Sequence, residues 1–324
     1  MKIFITGASG FVGGAAASNL AAAGHSVLAM SRSESSDEVI AGLGAVPVRC
    51  SLGSVPSSAL EGVDAIIHAA AFVEEWGPYD AFFQANVKGT AQLLDAAVKA
   101  GVGKFIHIGT EAALFKGSDL INIDETFPYP ETKFYYSRTK QEAERLVLAS
   151  DNPEGLRTIS LRPRMIWGPG DKTILPIILD KVKTGKFAWI DGGHYQTSST
   201  NIANLVYAIE LALGSQLGGE AFFITDGETR AFRDFITSLV STQGVEIKSS
   251  SIPKWLARSL AAVAEVLWKT LPLPGAPPIT SFAACMLSSH CTLNDAKARR
   301  LLSYQQKVTI EDGMEELRRL GKVV

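Results

Sequence analysis

The chain has 324 residues, 46% hydrophobic and 20% charged, a balance that excludes disordered, fibrous and disulfide-stapled proteins. A formal net charge of -2 with no Lys/Arg run gives no electrostatic footprint for nucleic acid or for an anionic membrane surface. Cys50, Cys285 and Cys291 are odd in number and form no C-x-x-C pattern, so neither a disulfide framework nor a zinc knuckle is indicated, and a reducing, cytoplasmic compartment is expected.

Met1-Lys2 runs straight into strand-like Ile3–Thr6, without the charged region and cleavage site of a signal peptide, so none is expected. No stretch reaches the length of a charge-free transmembrane helix. Lys2–Thr6, Ser26–Ser31, Val46–Cys50 and Ala65–Ala70 read as short strands separated by Ala-rich, apolar-periodic stretches. Helical patterns over Tyr79–Ala100 and Tyr136–Ser150 are separated by a strand at Lys104–Gly109, and another strand follows at Arg157–Arg162. This alternation predicts an α/β fold: a doubly wound parallel sheet of the Rossmann type with a smaller interleaved C-terminal substrate lobe. Residues 1–167, with returning segments near 195–213, form the expected NADP-binding domain, and 168–324 mainly the substrate lobe and lid. Gly168-Pro169-Gly170 and Gly192-Gly193 mark irregular connections in that lobe.

Thr6-Gly7-Ala8-Ser9-Gly10-Phe11-Val12-Gly13 follows the first strand and opens a helix, the context a dinucleotide-binding glycine loop needs. Gly7 permits the tight turn, Gly10 lets backbone amides approach a pyrophosphate, and Gly13 lets helix and strand pack closely. Ser9, Phe11 and Val12 complete this candidate cofactor-binding set. At the end of the second strand an acidic residue would bond the ribose 2′-hydroxyl of NAD, but Ser31-Arg32 stands there. A guanidinium holds a 2′-phosphate in a bidentate fork, so NADP(H) is the expected cofactor.

Tyr136 and Lys140 are four residues apart on a predicted helix and so share a face. An ammonium near a phenol lowers its pKa, which suits Tyr136 to proton exchange near neutral pH. Thr110 would emerge at the carboxyl end of the strand before it. Tyr135 is the internal competitor, but its offset of five from Lys140 turns it elsewhere.

Taken in order, the TGASGFVG loop, His68-Ala69-Ala70-Ala71, Asn86–Thr90 (NVKGT), Tyr136–Lys140 (YSRTK), Arg162–Asp171 (RPRMIWGPGD) and the KAR-containing tail near Lys297 form a series. The chain resembles the extended short-chain dehydrogenase/reductases over nearly its whole length. It is more similar to the 3β-hydroxysteroid-dehydrogenase-like and dihydroflavonol-reductase-like reductases than to the sugar-nucleotide epimerases. The resemblance implies that Thr110 stands at the catalytic Ser/Thr, Tyr136 at the acid/base and Lys140 at the residue binding the nicotinamide ribose. It also implies that Ala69, Ala70 and Ala71 line the adenosine side, that Pro163 lies near the nicotinamide, and that the two long helices pair in a homodimer. The chain departs from the pattern at Ser51, where an adenine-contacting Asp is frequent, and at Gly109, often Ser. Thr110-Glu111 resembles the Thr-Asp-Glu of dehydratases, yet Ala112 replaces that Glu, so Glu111 reads as a structural hydrogen-bonding residue. The five histidines offer no metal pattern; His25 and His68 read as packed residues, and His194 has no assigned role.

On a helical wheel of Lys254–Leu271, Arg258, Glu265 and Lys269 fall within about 40° of one another, with Leu256, Leu260, Val263, Leu267 and Leu271 opposite. This amphipathic helix, expected to stop at Pro272, reads as a lobe or lid helix near the site, with core packing and a membrane-surface helix as the other readings. The combined reading is an NADPH-dependent oxidoreductase that reduces a ketone or aldehyde of a hydrophobic small molecule (keto acid, steroid-like or aromatic), or runs the reverse. The alternatives are a sugar-nucleotide epimerase or dehydratase with retained nicotinamide, and an NADPH-sensing protein without chemistry, which would have no use for Thr110, Tyr136 and Lys140.

Overall fold

Parallel strands buried on both faces need helices above and below them, and the short apolar runs of this chain meet that demand in turn. The computed structural model describes residues 1–248, 250–271 and 273–321. Its central sheet holds β1 (Lys2–Thr6), β2 (Ser26–Ser31), β3 (Val46–Arg49), β4 (Ala65–His68), β5 (Lys104–Ile108), β7 (Arg157–Pro163) and β12 (Glu220–Ile224). All seven are parallel, in the order β12-β7-β5-β4-β1-β2-β3. The order reverses between β1 and β4, which opens a crevice at the carboxyl edge of the sheet, the place where such folds bind ligands.

One face is covered by α1 (Phe11–Ala22) and α7 (Ile202–Gly214), whose Ala16, Leu20, Leu205 and Ile209 pack on Ile3, Ile5 and Phe222. On the other face, Leu93 and Ala97 of α4 (Gly89–Lys99) and Val147 of α5 (Tyr135–Ala149) cover Phe4, Ile66 and Phe105. The predicted helix over 79–100 is built in three parts: α3 (Tyr79–Phe82), a π-helical segment at Phe83–Lys88, and α4. The wide turn falls around Asn86, and such π-bulges cluster at functional sites.

The edge strand β12 was not expected from the sequence, where its stretch belonged to the lobe. Five residues of Glu-Ala-Phe-Phe-Ile carry no periodicity that separates a sheet edge from lobe packing, and β12 pairs with β7 only through contacts distant in sequence (Phe222 opposite Leu161). Its open side is guarded by Lys297, which donates to Ala221 O at 2.9 Å and pairs with Glu220 at 2.6 Å.

The lobe is built from short ladders. β8 (Ile166–Trp167) pairs with β11 (Thr200–Asn201), β9 (Trp189–Ile190) with β14 (Ser251–Ile252), and β10 (Gln196–Thr197) lies between β13 (Arg230–Ala231) and β15 (Cys291–Leu293). Through β15 the last ladder reaches β6 (Leu120–Ile123). Asp226 joins these pieces: its carboxylate accepts from Trp167 Nε1, Ser199 Oγ, the Asn201 amide and Asn204 Nδ2, all between 2.6 and 2.8 Å. Helices α6 (Leu175–Lys183), α8 (Phe232–Ser241), α9 (Lys254–Thr270) and α10 (Ser281–Met286) complete the lobe. Pro272, the expected stop of α9, lies outside the described residues.

Candidate active site

The glycine loop is held by close backbone packing. Gly7 has φ 77°, and a Cβ there would lie 2.8 Å from the Ala70 amide nitrogen. A Cβ on Gly13 would lie 2.4 Å from Gly7 O, so helix and strand approach as closely as only glycine permits. Gly10 is the N-cap of α1, no side chain caps that end, and its first turn has no acidic residue. The amides of this twelve-residue helix therefore face the crevice unpaired by side chains, with the positive end of the helix dipole behind them.

Thr6 and His68 fix the adjacent turn. Thr6 Oγ1 lies 2.8 Å from His68 Nδ1 and accepts from the Ala70 amide at 3.2 Å, while His68 Nε2 lies 2.9 Å from Thr90 Oγ1. Burial, helped by Lys140, pushes the His68 imidazole down to about 3, so it stays neutral at pH 7. Through Thr6, which accepts from the Ala70 amide, this buried chain holds the turn at Ala70. Asn86 anchors the next residues: it accepts from the Phe72 amide at 2.7 Å and donates to Phe72 O and to Thr139 Oγ1 of α5. The sequence displayed Asn86 only as part of a motif, without a role. At the end of β2, Ser31 is buried, whereas Arg32 is exposed and makes no hydrogen bond or ion pair among the described residues.

Thr110 closes β5 and caps the short turn Glu111–Leu114, its Oγ1 accepting from the Ala112 amide at 3.1 Å. The same hydroxyl donates to Glu111 Oε2 at 2.9 Å, and Tyr136 lies beside it. Glu111 is buried and paired with buried Arg164, which also donates through Nε to Thr197 Oγ1 at 3.0 Å. Tyr136 faces this group from the first turn of α5. Tyr135 instead is 42% exposed and packs edge-on against Tyr79 and Phe82, so the two neighbours have different surroundings.

One electrostatic expectation is reversed. Burial pushes the Tyr136 phenol up, the Glu111 carboxylate pushes it the same way, and the Thr110 hydrogen bond offsets only part. Lys140 does not lower it here; its Nζ donates to Ile108 O at 2.9 Å and lies 3.3 Å from His107 Nε2. Burial brings the Lys140 ammonium down to about 8, with Glu144 pulling in the opposite sense.

Behind Lys140 runs a buried polar chain. Ser160 donates to Glu144 Oε1 at 2.6 Å, and His107 Nδ1 lies 3.1 Å from Ser160 Oγ. With the Ser160 proton committed to Glu144, the hydrogen-bond pattern puts the imidazole proton on Nδ1 and leaves Nε2 to accept from Lys140. Glu144 is bonded by Arg162 and by Tyr129 Oη at 2.7 Å. Burial alone would raise the Glu144 carboxyl, but Arg162 and these hydrogen bonds hold it below the usual range. Gly109 explains itself here: a Cβ would lie 2.6 Å from Ser160 Oγ and 2.9 Å from Glu144 Oε1. Pro163 is buried at the end of β7, opposite Ile224.

The open side of Tyr136 is aromatic. Phe282 of α10 meets its ring edge-on with centroids 5.8 Å apart, and Phe134 packs on both Phe282 and Phe115. Phe134 also lines a cleft of about 260 Å³ with Lys116, Lys133, Arg258, Ala262 and Cys285. No sequence signal had marked Phe134 or Phe282.

A glycine loop at the switch point of a doubly wound sheet, with Thr, Tyr and Lys gathered at the next strand end, defines a protein of the extended short-chain dehydrogenase/reductase class. The chain belongs to the 3-beta hydroxysteroid dehydrogenase/isomerase family, whose model matches residues 4–254. It is 39% identical to a 4-hydroxy-2-methyl-3-oxo-4-farnesyl-3,4-dihydroquinoline-1-oxide ketoreductase of Stigmatella aurantiaca, over 99% of this chain and 97% of that one. A 2-alkyl-3-oxoalkanoate reductase of Stenotrophomonas maltophilia is 33% identical over 98% of each chain. Among solved structures, gox2253 superposes with a TM-score of 0.78 at 27% identity, covering 99% of both chains. The chain is thus an oxidoreductase acting on hydroxyl or keto groups.

Proposed function

We propose that this protein is an NADPH-dependent reductase of a hydrophobic ketone or aldehyde, a β-keto acid or a polycyclic or prenylated ketone among them. The observation that carries the reading is the grouping of Thr110 and Tyr136 with buried Lys140, with an aromatic wall on the open side of Tyr136. The glycine cradle fits a dinucleotide: Gly7 leaves no room for a Cβ against Ala70, and the uncapped first turn of α1 offers amides to a diphosphate. Gly7, Ser9, Gly10, Phe11, Val12 and Gly13 would hold the diphosphate, and Ala69–Ala71 the adenosine. Ser31 and Arg32 would take a 2′-phosphate, and Lys140 and Pro163 would meet the nicotinamide side. The bound nicotinamide supplies the hydride.

Within the chain, Tyr136 holds the proton that the carbonyl oxygen takes as it becomes an alcohol. A phenol kept protonated by burial and by Glu111 suits an acid, which favours the reductive direction. Thr110 orients the phenol, and rotation of its O–H away from Glu111 makes it a second donor to the developing oxyanion. Proximity and fixed donors account for most of the acceleration.

The relatives named above as ketoreductase and 3-oxoalkanoate reductase support a keto substrate. The test is NADPH consumption against a panel of hydrophobic ketones, aldehydes and β-keto acids, run with Tyr136→Phe and Tyr135→Phe. Product stoichiometric with NADPH, lost in Tyr136→Phe and retained in Tyr135→Phe, is expected. Redox-neutral conversion of a sugar nucleotide would turn the reading toward an epimerase, and NADPH binding with no turnover on any class toward a sensing protein.

A further inference from the structure

The cleft beside Phe134 gathers positive charge. Lys116 stands just past the turn that Thr110 caps, Lys133 two residues before α5, and Arg258 on α9, and all three line the cleft. No carboxylate lines it among the described residues. Arg258 donates through Nε to Ser288 Oγ and through Nη2 to Ser289 Oγ, each at 3.1 Å, so neutral hydroxyls hold the guanidinium in place and leave its charge unbalanced. Lys133 Nζ lies 5.6 Å from the centre of the Phe134 ring, again a neutral partner. Two carboxylates are bonded at the edge of the cleft: Glu265 accepts from the Ser281 amide at 2.6 Å, and Glu75 accepts from Thr280 Oγ1 at 3.1 Å. Burial pushes the Glu75 carboxyl up, toward its neutral form, so the three cations outweigh them.

The backbone adds to this field. Phe134, which lines the cleft, is the N-cap of α5, where no side chain caps the end and the first turn carries no acidic residue. The positive end of a 15-residue helix dipole therefore lies at the same place. The remaining walls include Ala262 and Cys285, and charges set in a cleft with apolar walls act more strongly than on an open surface. Neither Thr110 nor Tyr136 lines this space. The Phe282 ring bridges the two, its centroid 5.5 Å from that of Phe134 and 5.8 Å from that of Tyr136. A carboxylate next to the reacting carbonyl stays on the Tyr136 side of these rings, so an anion held in the cleft belongs to the far end of a longer molecule.

We propose that the cleft is an anion subsite, and that the substrate is an amphiphile with its ketone at Tyr136 and a carboxylate or phosphate at the opposite end. Lys116, Lys133 and Arg258 hold that anion, and the apolar middle of the molecule lies along Phe282 and Phe134. The substrate class rests on the reductase reading above; the anion subsite does not. A net charge of -2 over the whole chain hides such a site, because cations far apart in sequence meet only in the fold.

The experiment is fluorescence titration of the full chain with 11-(dansylamino)undecanoic acid, then displacement of that probe by dodecanoate, monododecyl phosphate and dodecan-1-ol, in low and high salt. At least one of the anions should displace it at concentrations about tenfold or more below the alcohol, and high salt should narrow the gap. Which anion is the stronger tells carboxylate from phosphate. Lys116 and Lys133 are exposed and make no hydrogen bond among the described residues, so Lys116→Gln with Lys133→Gln should keep the circular dichroism spectrum. The same variant should shrink the gap about threefold or more. Lys116→Gln alone serves if the pair does not fold. A turnover test compares kcat/KM for NADPH-dependent reduction of 10-oxoundecanoate, whose ketone and carboxylate lie at opposite ends, with that of its methyl ester. Wild type should prefer the acid about tenfold, and the variant should lower that ratio. The anion subsite is overturned if the probe does not bind, if the alcohol displaces it as well as the anions do, or if a folded variant keeps the wild-type gap. Displacement through the lysines with no ketone reduced leaves the subsite standing and removes the reductase reading. Reduction of neutral ketones with no preference for acid over ester keeps that reading and overturns the substrate class.

Discussion

Thr110 donates its hydroxyl hydrogen to Glu111 at 2.9 Å, and Glu111 is itself paired with Arg164, so the Thr110 hydroxyl is tied to a buried charge pair. Glu111→Gln keeps an acceptor for Thr110 but leaves the buried Arg164 guanidinium without its counter-charge. Removing one partner of such a pair costs about 3–5 kcal/mol. Urea unfolding should show a loss of this order, and adding Arg164→Met should recover part of it. A single variant within about 1 kcal/mol of wild type would mean the pair is not the buried clamp described here.

Lys140, in its proposed role, is expected to set the alkaline limit of activity. Its ammonium titrates near 8 because burial disfavours the charged form, so it is largely neutral well before an exposed lysine would be. The charge proposed to bind the ribose is present below about pH 8 and lost above it. A pH profile of kcat/KM should therefore fall on an alkaline limb close to pH 8. A flat profile through pH 10 contradicts this.

Arg32 is exposed and unpaired among the described residues at the end of β2, free to meet a 2′-phosphate. Losing one charge-assisted bidentate contact costs about 1.5–3 kcal/mol, or about tenfold or more in affinity. Fluorescence titration of Arg32→Ala should show this loss for NADPH and little change for NADH. Equal wild-type affinities for the two cofactors would remove the basis for the NADPH preference.

Gly109 is required by what lies next to it. An added methyl would sit 2.6 Å from Ser160 Oγ and 3.2 Å from Leu161 O, and the latter is backbone that cannot turn aside. Gly109→Ala should destabilise the fold by about 1–3 kcal/mol, as overpacking does. Combining it with Ser160→Ala should relieve part of the loss, and thermal unfolding would reveal any variant that melts as wild type does.

The helices α4 and α5 are proposed to pair across a two-fold axis, and Val98, Tyr135 and Leu146 are exposed on them. Light scattering at micromolar concentration should report twice 34.6 kDa for wild type and a smaller species for Leu146→Asp. A wild-type reading of 34.6 kDa alone counts against the pairing.

The sequence by itself determined the order of β1 to β5 and β7, the glycine loop, and the helix that carries Tyr136 and Lys140, because each rests on local spacing. A strand needs a short apolar run, a phosphate turn needs glycines at set intervals, and two side chains four apart on a helix share a face. Only the tertiary structure decided what those groups meet. That Glu111 sits against Thr110, that His107 and Ile108 O occupy Lys140, and that Glu144 and Ser160 fill the space left by Gly109 are contacts between residues 1 to 51 positions apart. Burial, which raises the Tyr136 phenol and lowers the Lys140 ammonium, is likewise a property of the assembled protein. The wheel of α9 separated its apolar and polar sides correctly, but which side faces water depends on what packs beneath it. Ser281, Ser288 and Ser289 gave the polar side its partners, and the leucines were left outside.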